Sequence, residues 1–136
     1  MPKQTILIAD DDIALLKMLR TKLAAVGYKV HTARDGYQAL AFAVEHSPDL
    51  MILDINMPAG DGISVAARLD KIADFSAIPI IYITGEEKWR IRDATREFAV
   101  SAILHKPFED AELFGAVTHA LGEHAATLEE SKNSPA

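Results

Sequence analysis

The sequence predicts a doubly wound α/β domain, a five-stranded parallel sheet with helices on both faces. Three observations carry that expectation. Apolar runs such as Ile6-Leu7-Ile8-Ala9, Leu50-Met51-Ile52-Leu53 and Ile80-Ile81-Tyr82-Ile83 are continuous rather than alternating, as expected of strands buried on both faces. Between them, apolar residues recur at three- and four-residue steps, the spacing of amphipathic helices. Parallel strands need crossovers, and right-handed crossovers cover both sides of a sheet. Finally, these runs end in polar residues: Asp10-Asp11-Asp12, Asp54 and Thr84, with His105-Lys106 after a fifth, shorter run. In open parallel sheets the functional crevice lies beyond the carboxyl ends of the strands.

Taken in order, Thr5–Ala9 is the first strand. From Ile13 the positions Leu16, Leu19, Leu23 and Val26 form the stripe of a helix, with Gly27 as its stop. Residues 28–33 alternate more, Val30 lying between Lys29 and His31, which suits a strand at the sheet edge. Asp35-Gly36 marks a turn. A second helix presents Ala39, Leu40, Ala43 and Val44 and closes at Ser47-Pro48, since proline disfavours helix in the residue before it. The strand Leu50–Leu53 then delivers Asp54 into a loop of turn residues, Met57-Pro58 and Asp61-Gly62, which shape the turn and start a third helix through Ile63, Ala66, Ala67 and Leu69. Pro79 opens the fourth strand, a position where proline is tolerated. Residues 86–98 read as a more polar fourth helix and Ala102–Leu104 as the fifth strand. A fifth helix over 109–121 aligns Leu113, Val117 and Leu121, with Gly122 as its stop. The boundaries are therefore 4–122 for the domain and 123–136 for a C-terminal tail, helix extension or linker.

A chain of 136 residues is about one domain long and needs no staple for its core. No apolar run approaches the roughly 20 residues of a membrane span, and no secretory signal is evident at the start, so a cytoplasmic location and no membrane partner are expected. The absence of cysteine excludes disulfides, thiolate metal sites and a cysteine nucleophile. A net charge of -6 argues against direct nucleic-acid binding.

Asp54 is the residue on which the chemistry turns. A carboxylate at the end of a buried strand is costly without a partner or a task. Several carboxylates crowded at one sheet edge repel one another, and a hard divalent cation offsets that repulsion. Mg2+ is the expected cofactor, because carboxylates and waters leave it positions for phosphate oxygens. Carboxylates form aspartyl phosphates, and phosphoryl transfer depends chiefly on positioning and charge neutralisation. Lys106 is suited to neutralise phosphoryl oxygens and the Thr84 hydroxyl to donate a hydrogen bond. No base for rapid hydrolysis is evident, so the product should persist as a signal.

These motifs in order, Ile-Leu-Ile-Ala-Asp-Asp-Asp, Asp54 with Met57-Pro58 and Asp61-Gly62, Thr84-Gly85, and Lys106-Pro107-Phe108, resemble the receiver domain of two-component response regulators over essentially residues 4 to 121. Each motif is weak alone and the ordered set is specific. The resemblance implies a flavodoxin-like sheet of strand order 2-1-3-4-5, similar to single-domain chemotaxis regulators. It implies Asp54 as phosphoacceptor, Asp11 as a direct Mg2+ ligand, Asp10 as a ligand through water and the Asn56 backbone carbonyl as another, with Thr84 and Lys106 contacting phosphate. It further implies a donor phosphohistidine on a sensor histidine kinase or histidine phosphotransfer protein, and often a cis bond before Pro107. A downstream protein would dock on the fourth helix, fifth strand and fifth helix. One departure stands out: the family usually carries an aromatic residue three positions before the lysine, and here that position is Ile103. Isoleucine is stiff at χ1 and has no hydroxyl to change partners. Either other residues carry the output, or the protein is a relay in which conformational change matters less. Gly85 should leave the phosphate accessible, and Glu86 lies where it would influence attacking water.

Asp12 fits a helix cap better than a metal ligand, and Asp10 and Asp11 as caps alone would leave Asp54 unexplained. Trp89 among Lys88, Arg90 and Arg92 suits a partner anchor or packing on neighbouring helices. The five histidines lack metal spacing and read as surface residues. A turnover enzyme is not expected: an aspartyl-phosphate hydrolase of the haloacid dehalogenase type resembles Asp-x-Asp, and Asn56 stands where its second aspartate would ionise. A flavodoxin-like cofactor carrier would meet three phosphate-repelling aspartates after the first strand. The remaining alternatives are a receiver-like interaction module not regulated by phosphorylation, and the N-terminal receiver of a larger regulator with an output domain beyond residue 136.

Overall fold

The computed structural model describes residues 3–57, 62–71, 77–85 and 100–133, with backbone only at 70 and from 123 onward. In chain order they form β1 (Thr5–Ala9), α1 (Ile13–Ala25), β2 (Lys29–Ala33), α2 (Gly36–His46), β3 (Leu50–Asp54), α3 (Gly62–Asp70), β4 (Ile80–Thr84), β5 (Val100–His105) and a C-terminal helix (Asp110–Asn133). The fourth helix expected over 86–98, with Glu86 and Trp89, lies outside the described residues, as do Pro58 and Asp61. The strands order as β2-β1-β3-β4-β5, every neighbouring pair parallel. β2 is the edge expected from its alternating sequence.

The continuous apolar runs are explained by two cores on opposite sides of the sheet. Ile6 and Ile8 of β1, with Leu50 and Ile52 of β3, pack against Leu16, Leu19 and Leu23 of α1 and Leu113, Val117 and Leu121 of the C-terminal helix. The intervening Leu7, Ala9, Met51 and Leu53 pack against Ala39 and Ala43 of α2 and Val65, Ala66 and Leu69 of α3. Side chains alternate between faces along a strand, so a strand covered on both sides must be apolar throughout. Fully burying one such aliphatic side chain is worth roughly 1.5–3 kcal/mol.

Several boundaries differ from expectation. Val26 caps α1 from outside the helix and is 58% exposed; the chain turns away at Gly27, whose φ of 105° is open to glycine. Val44 is 50% exposed, since α2 turns Ala39 and Ala43 inward and Val44 outward. α2, by contrast, closes at Ser47-Pro48 as expected, with Ser47 in the left-handed conformation after His46. β5 begins at Val100 rather than Ala102; Val100 pairs with Ile80 and Ala102 with Ile81, so the strand carries an irregularity at Ser101. Gly122 does not stop the last helix, which continues to Asn133. An interior glycine costs about 1 kcal/mol relative to alanine, too little to end a helix continued by Ala125, Ala126, Leu128 and Glu129.

Candidate functional site

The chain leaves β1 for β2 on one side and returns to β3 on the other, so β1 and β3 flank the point where the winding reverses. Their carboxyl ends deliver Asp10 and Asp54. Asp10 is anchored by its own N–H, which donates to the Ala33 carbonyl at 3.1 Å, and its side chain is fully buried. Its Oδ1 accepts the Asp12 N–H at 2.9 Å. Asp12 in turn caps α1 by accepting the Leu15 N–H at 3.2 Å, the role preferred for it on sequence grounds. Asp11, between them, is exposed.

Asp54 closes β3 and is only 4% exposed. Its Oδ1 accepts the Asn56 N–H at 3.1 Å, while the Ile55 N–H donates to Ile83 of β4 at 3.1 Å. Asn56 itself is exposed in this loop. The first residue of α3 lies against the end of β3: a Cβ at Gly62 would lie 2.6 Å from the Asp54 carbonyl oxygen. Only glycine leaves room for that approach.

Thr84, fully buried, ends β4. Its carbonyl accepts the Lys106 N–H at 2.7 Å, joining two of the expected phosphate contacts through the backbone. The Lys106 ammonium reaches across the strand ends to lie 2.8 Å from Asp10 Oδ2 and 3.4 Å from Asp54 Oδ2. The Lys106–Pro107 bond is cis, in keeping with the resemblance.

The electrostatics follow from this crowding. Burial, and then the charge of Asp10, push the Asp54 carboxyl up to about 6, against the Asn56 N–H and Lys106, which favour its ionised form. Burial pulls Lys106 the opposite way from its partners, but Asp10 and Asp54 outweigh it and hold the ammonium above its ordinary value. Carboxylate oxygens of Asp10, Asp11 and Asp54 lie within 4.8 Å of one another. Among the described residues, Asp10 Oδ2 receives no well-angled hydrogen bond and is answered by the charge of Lys106. Mg2+ takes oxygen ligands at about 2.0–2.1 Å, so oxygens across the ion stand about 4 Å apart and this cluster fits it with little adjustment. Among the described residues, three carboxylates against one ammonium leave a surplus of negative charge for a cation to neutralise.

The structure thus brings together Asp10, Asp11, Asp54 and Lys106, with Thr84 and Asn56 on the adjoining backbone. Ile103 sits apart, in register with the fully buried Tyr82 and packed on the α2 and α3 side. An open cleft of about 320 Å³ beside Lys106 is lined by Asp12, Leu15, Met18, Lys106, Pro107 and Phe108. Two arrangements were not foreseen. His31 and His46 stack at 3.8 Å with their rings 10° apart, a pairing that the spacing of the histidines does not indicate. His105 Nδ1 lies 3.0 Å from the Lys106 carbonyl oxygen; its position between a strand and the key lysine was the one available signal.

Comparison with known proteins agrees with this geometry. The family model described as the response regulator receiver domain matches residues 6–118. A probable transcriptional regulator, ycf27 of Cyanophora paradoxa, is 40% identical over 112 residues, 82% of this chain and 45% of its own length. Among solved structures, the chemotaxis protein CheY4 of Vibrio cholerae is similar with a TM-score of 0.82 and 28% identity, covering 88% of this chain and 99% of that one. The receiver domain of the sensor histidine kinase PA1611 of Pseudomonas aeruginosa is similar with a TM-score of 0.80 and 26% identity, covering 89% and 99%. That structure holds a magnesium ion in its active-site cleft. The chain spans about half or less of the length of the curated relatives it matches.

Proposed function

Because the chain belongs to the response regulator receiver domain family, we propose that it takes a phosphoryl group onto Asp54 from the phosphohistidine of a sensor kinase or phosphotransfer protein. The observation that carries this is the convergence of a buried acceptor carboxylate, two further aspartates and one ammonium at the switch point of the sheet. An oxygen of Asp54 attacks phosphorus as the bond from phosphorus to the donor imidazole breaks, and the imidazole leaves with the bonding pair. The Asn56 N–H holds Asp54 from one side, which orients the attacking carboxylate. Lys106 stands within reach of phosphoryl oxygens gathered at Asp54, and Thr84 at the end of β4 supplies a hydroxyl to the same group.

Asp10, Asp11, Asp54 and the Asn56 carbonyl are the groups suited to hold Mg2+. When bound, that ion neutralises charge on the phosphoryl oxygens. The cleft between α1 and the segment after β5, lined by Leu15, Met18 and Phe108 beside Lys106, suits the approach of the donor protein. The protein acts as a phosphoacceptor rather than a turnover enzyme, and signals through a protein partner on the face that includes β5 and the C-terminal helix.

Intact-mass analysis after acetyl phosphate treatment tests this, with and without Mg2+, on the wild type and Asp54→Asn. One added phosphoryl group is expected only with Mg2+ and only with Asp54. No gain from acetyl phosphate or from a phosphohistidine donor would overturn the proposal in favour of an interaction module that is not phosphorylated.

A further inference from the structure

Lys106 has to place an ammonium at the end of four methylenes, and its reach is set by where its backbone is held. Its N–H is fixed on the Thr84 carbonyl at 2.7 Å. Its carbonyl, beyond the last residue of β5, is met by the ring of the preceding residue, with His105 Nδ1 at 3.0 Å. A carbonyl only accepts, so Nδ1 carries the proton and donates, and neutral His105 is then the Nδ1–H tautomer with an acceptor at Nε2. His105 is in register with Thr84 and half-buried, so the ring belongs to the same corner of the sheet as the proposed phosphate contacts.

The geometry points to His105 as a positioning residue for phosphoryl transfer, one that clamps the Lys106 peptide so that its ammonium reaches Asp54. This rests on the acceptor role proposed for Asp54. The margin is narrow: Nζ lies 3.4 Å from Asp54 Oδ2 but 2.8 Å from Asp10 Oδ2, and the first distance is already at the limit of a hydrogen bond. A few tenths of an ångström at the root of the side chain leave the ammonium on Asp10 alone. His105 touches neither carboxylate in this role and acts only through Lys106.

Asparagine can place its side-chain nitrogen where Nδ1 stands, whereas alanine and leucine have no donor. Initial rates of Mg2+-dependent phosphorylation by acetyl phosphate are therefore expected to fall roughly five-fold in His105→Ala and His105→Leu, on the scale of one neutral hydrogen bond. They should return to within about two-fold of wild type in His105→Asn. In a Lys106→Ala background, His105→Ala should slow the reaction no further, because coupled residues are not additive. A long-range 15N spectrum of the unphosphorylated protein at about pH 8.5, two units above an ordinary imidazole, should show His105 protonated at Nδ1.

An Nε2–H tautomer, slow His105→Asn, or an additional loss in the Lys106→Ala background would each overturn the role. A wild-type protein that takes no phosphoryl group would instead overturn the acceptor proposal and with it the catalytic part of this one, while the tautomer still decides whether His105 holds Lys106.

Discussion

Lys106 pairs more closely with Asp10 than with Asp54, at 2.8 Å against 3.4 Å. The lysine therefore leans toward the fully buried carboxylate and leaves Asp54 less neutralised. This explains how Asp54 is pushed up to about 6 with an ammonium close by: burial and the Asp10 charge outweigh the long contact to Lys106.

Replacing Lys106 with methionine keeps the apolar stem and removes the charge. The Asp54 carboxyl should then rise by roughly one further unit, the low end of what a neighbouring opposite charge supplies. A 13C titration of the aspartate carboxyl groups in metal-free protein checks this. An unchanged or lower Asp54 value would show that Lys106 favours the ionised form no more than solvent does.

Asp54→Asn should stabilise the metal-free protein. The folded value, about 6, lies above the ordinary 3.8, so the folded state holds its proton longer than the unfolded chain. Wild-type stability then falls as pH rises from about 4 to about 6 and stays lower above that. Asparagine removes the charge that causes this, giving a gain of about 1–3 kcal/mol at neutral pH that fades near pH 4. Urea unfolding of both proteins in EDTA at the two pH values measures it; an equal gain at both would assign the effect to something other than Asp54 ionisation.

Gly62→Ala sets a gain against a clash. Alanine restricts the unfolded chain, a gain of about 0.4–1 kcal/mol, but its Cβ would stand 2.6 Å from the backbone oxygen of Asp54. Backbone cannot move aside as a flexible side chain does, so the clash wins and a net loss of about 1–3 kcal/mol is expected. Phosphorylation should slow as well, because the displaced atoms carry the acceptor. Denaturant midpoints and phosphorylation rates check both arms, and a stabilised variant with wild-type rates would contradict the close approach.

Most of this fold was legible because burial on both faces leaves a direct mark. The run Leu50–Leu53 had to be apolar at every position, and Asp10, Asp54, Thr84 and Lys106 stood out as the polar residues at strand ends. The errors came where sequence carries only weak preferences. Val26 continues a helical stripe yet falls one residue beyond α1, and Gly122 carries a stop signal too small to act in a helix of good formers. The Gly62 approach, the Lys106 bias toward Asp10 and the stacking of His31 on His46 depend on distances between elements, which spacing along the chain does not encode.

Mg2+ binding should weaken as pH falls through about 6. A hard cation needs the ionised carboxylate, and protonation of Asp54 competes with it. The sign is fixed by the raised Asp54 value: above it the site is ready and affinity is nearly flat, and below it affinity drops by up to tenfold per pH unit. Calorimetric titrations near pH 8 and pH 5 should differ accordingly, with net proton release on binding near pH 6 that depends on the ionisation heat of the buffer. In Asp54→Asn the carboxylate charge and its competing proton are both gone, so the residual affinity should be lower at neutral pH and should lose the step near 6. A step that survives the substitution would place the titrating group elsewhere in the cluster.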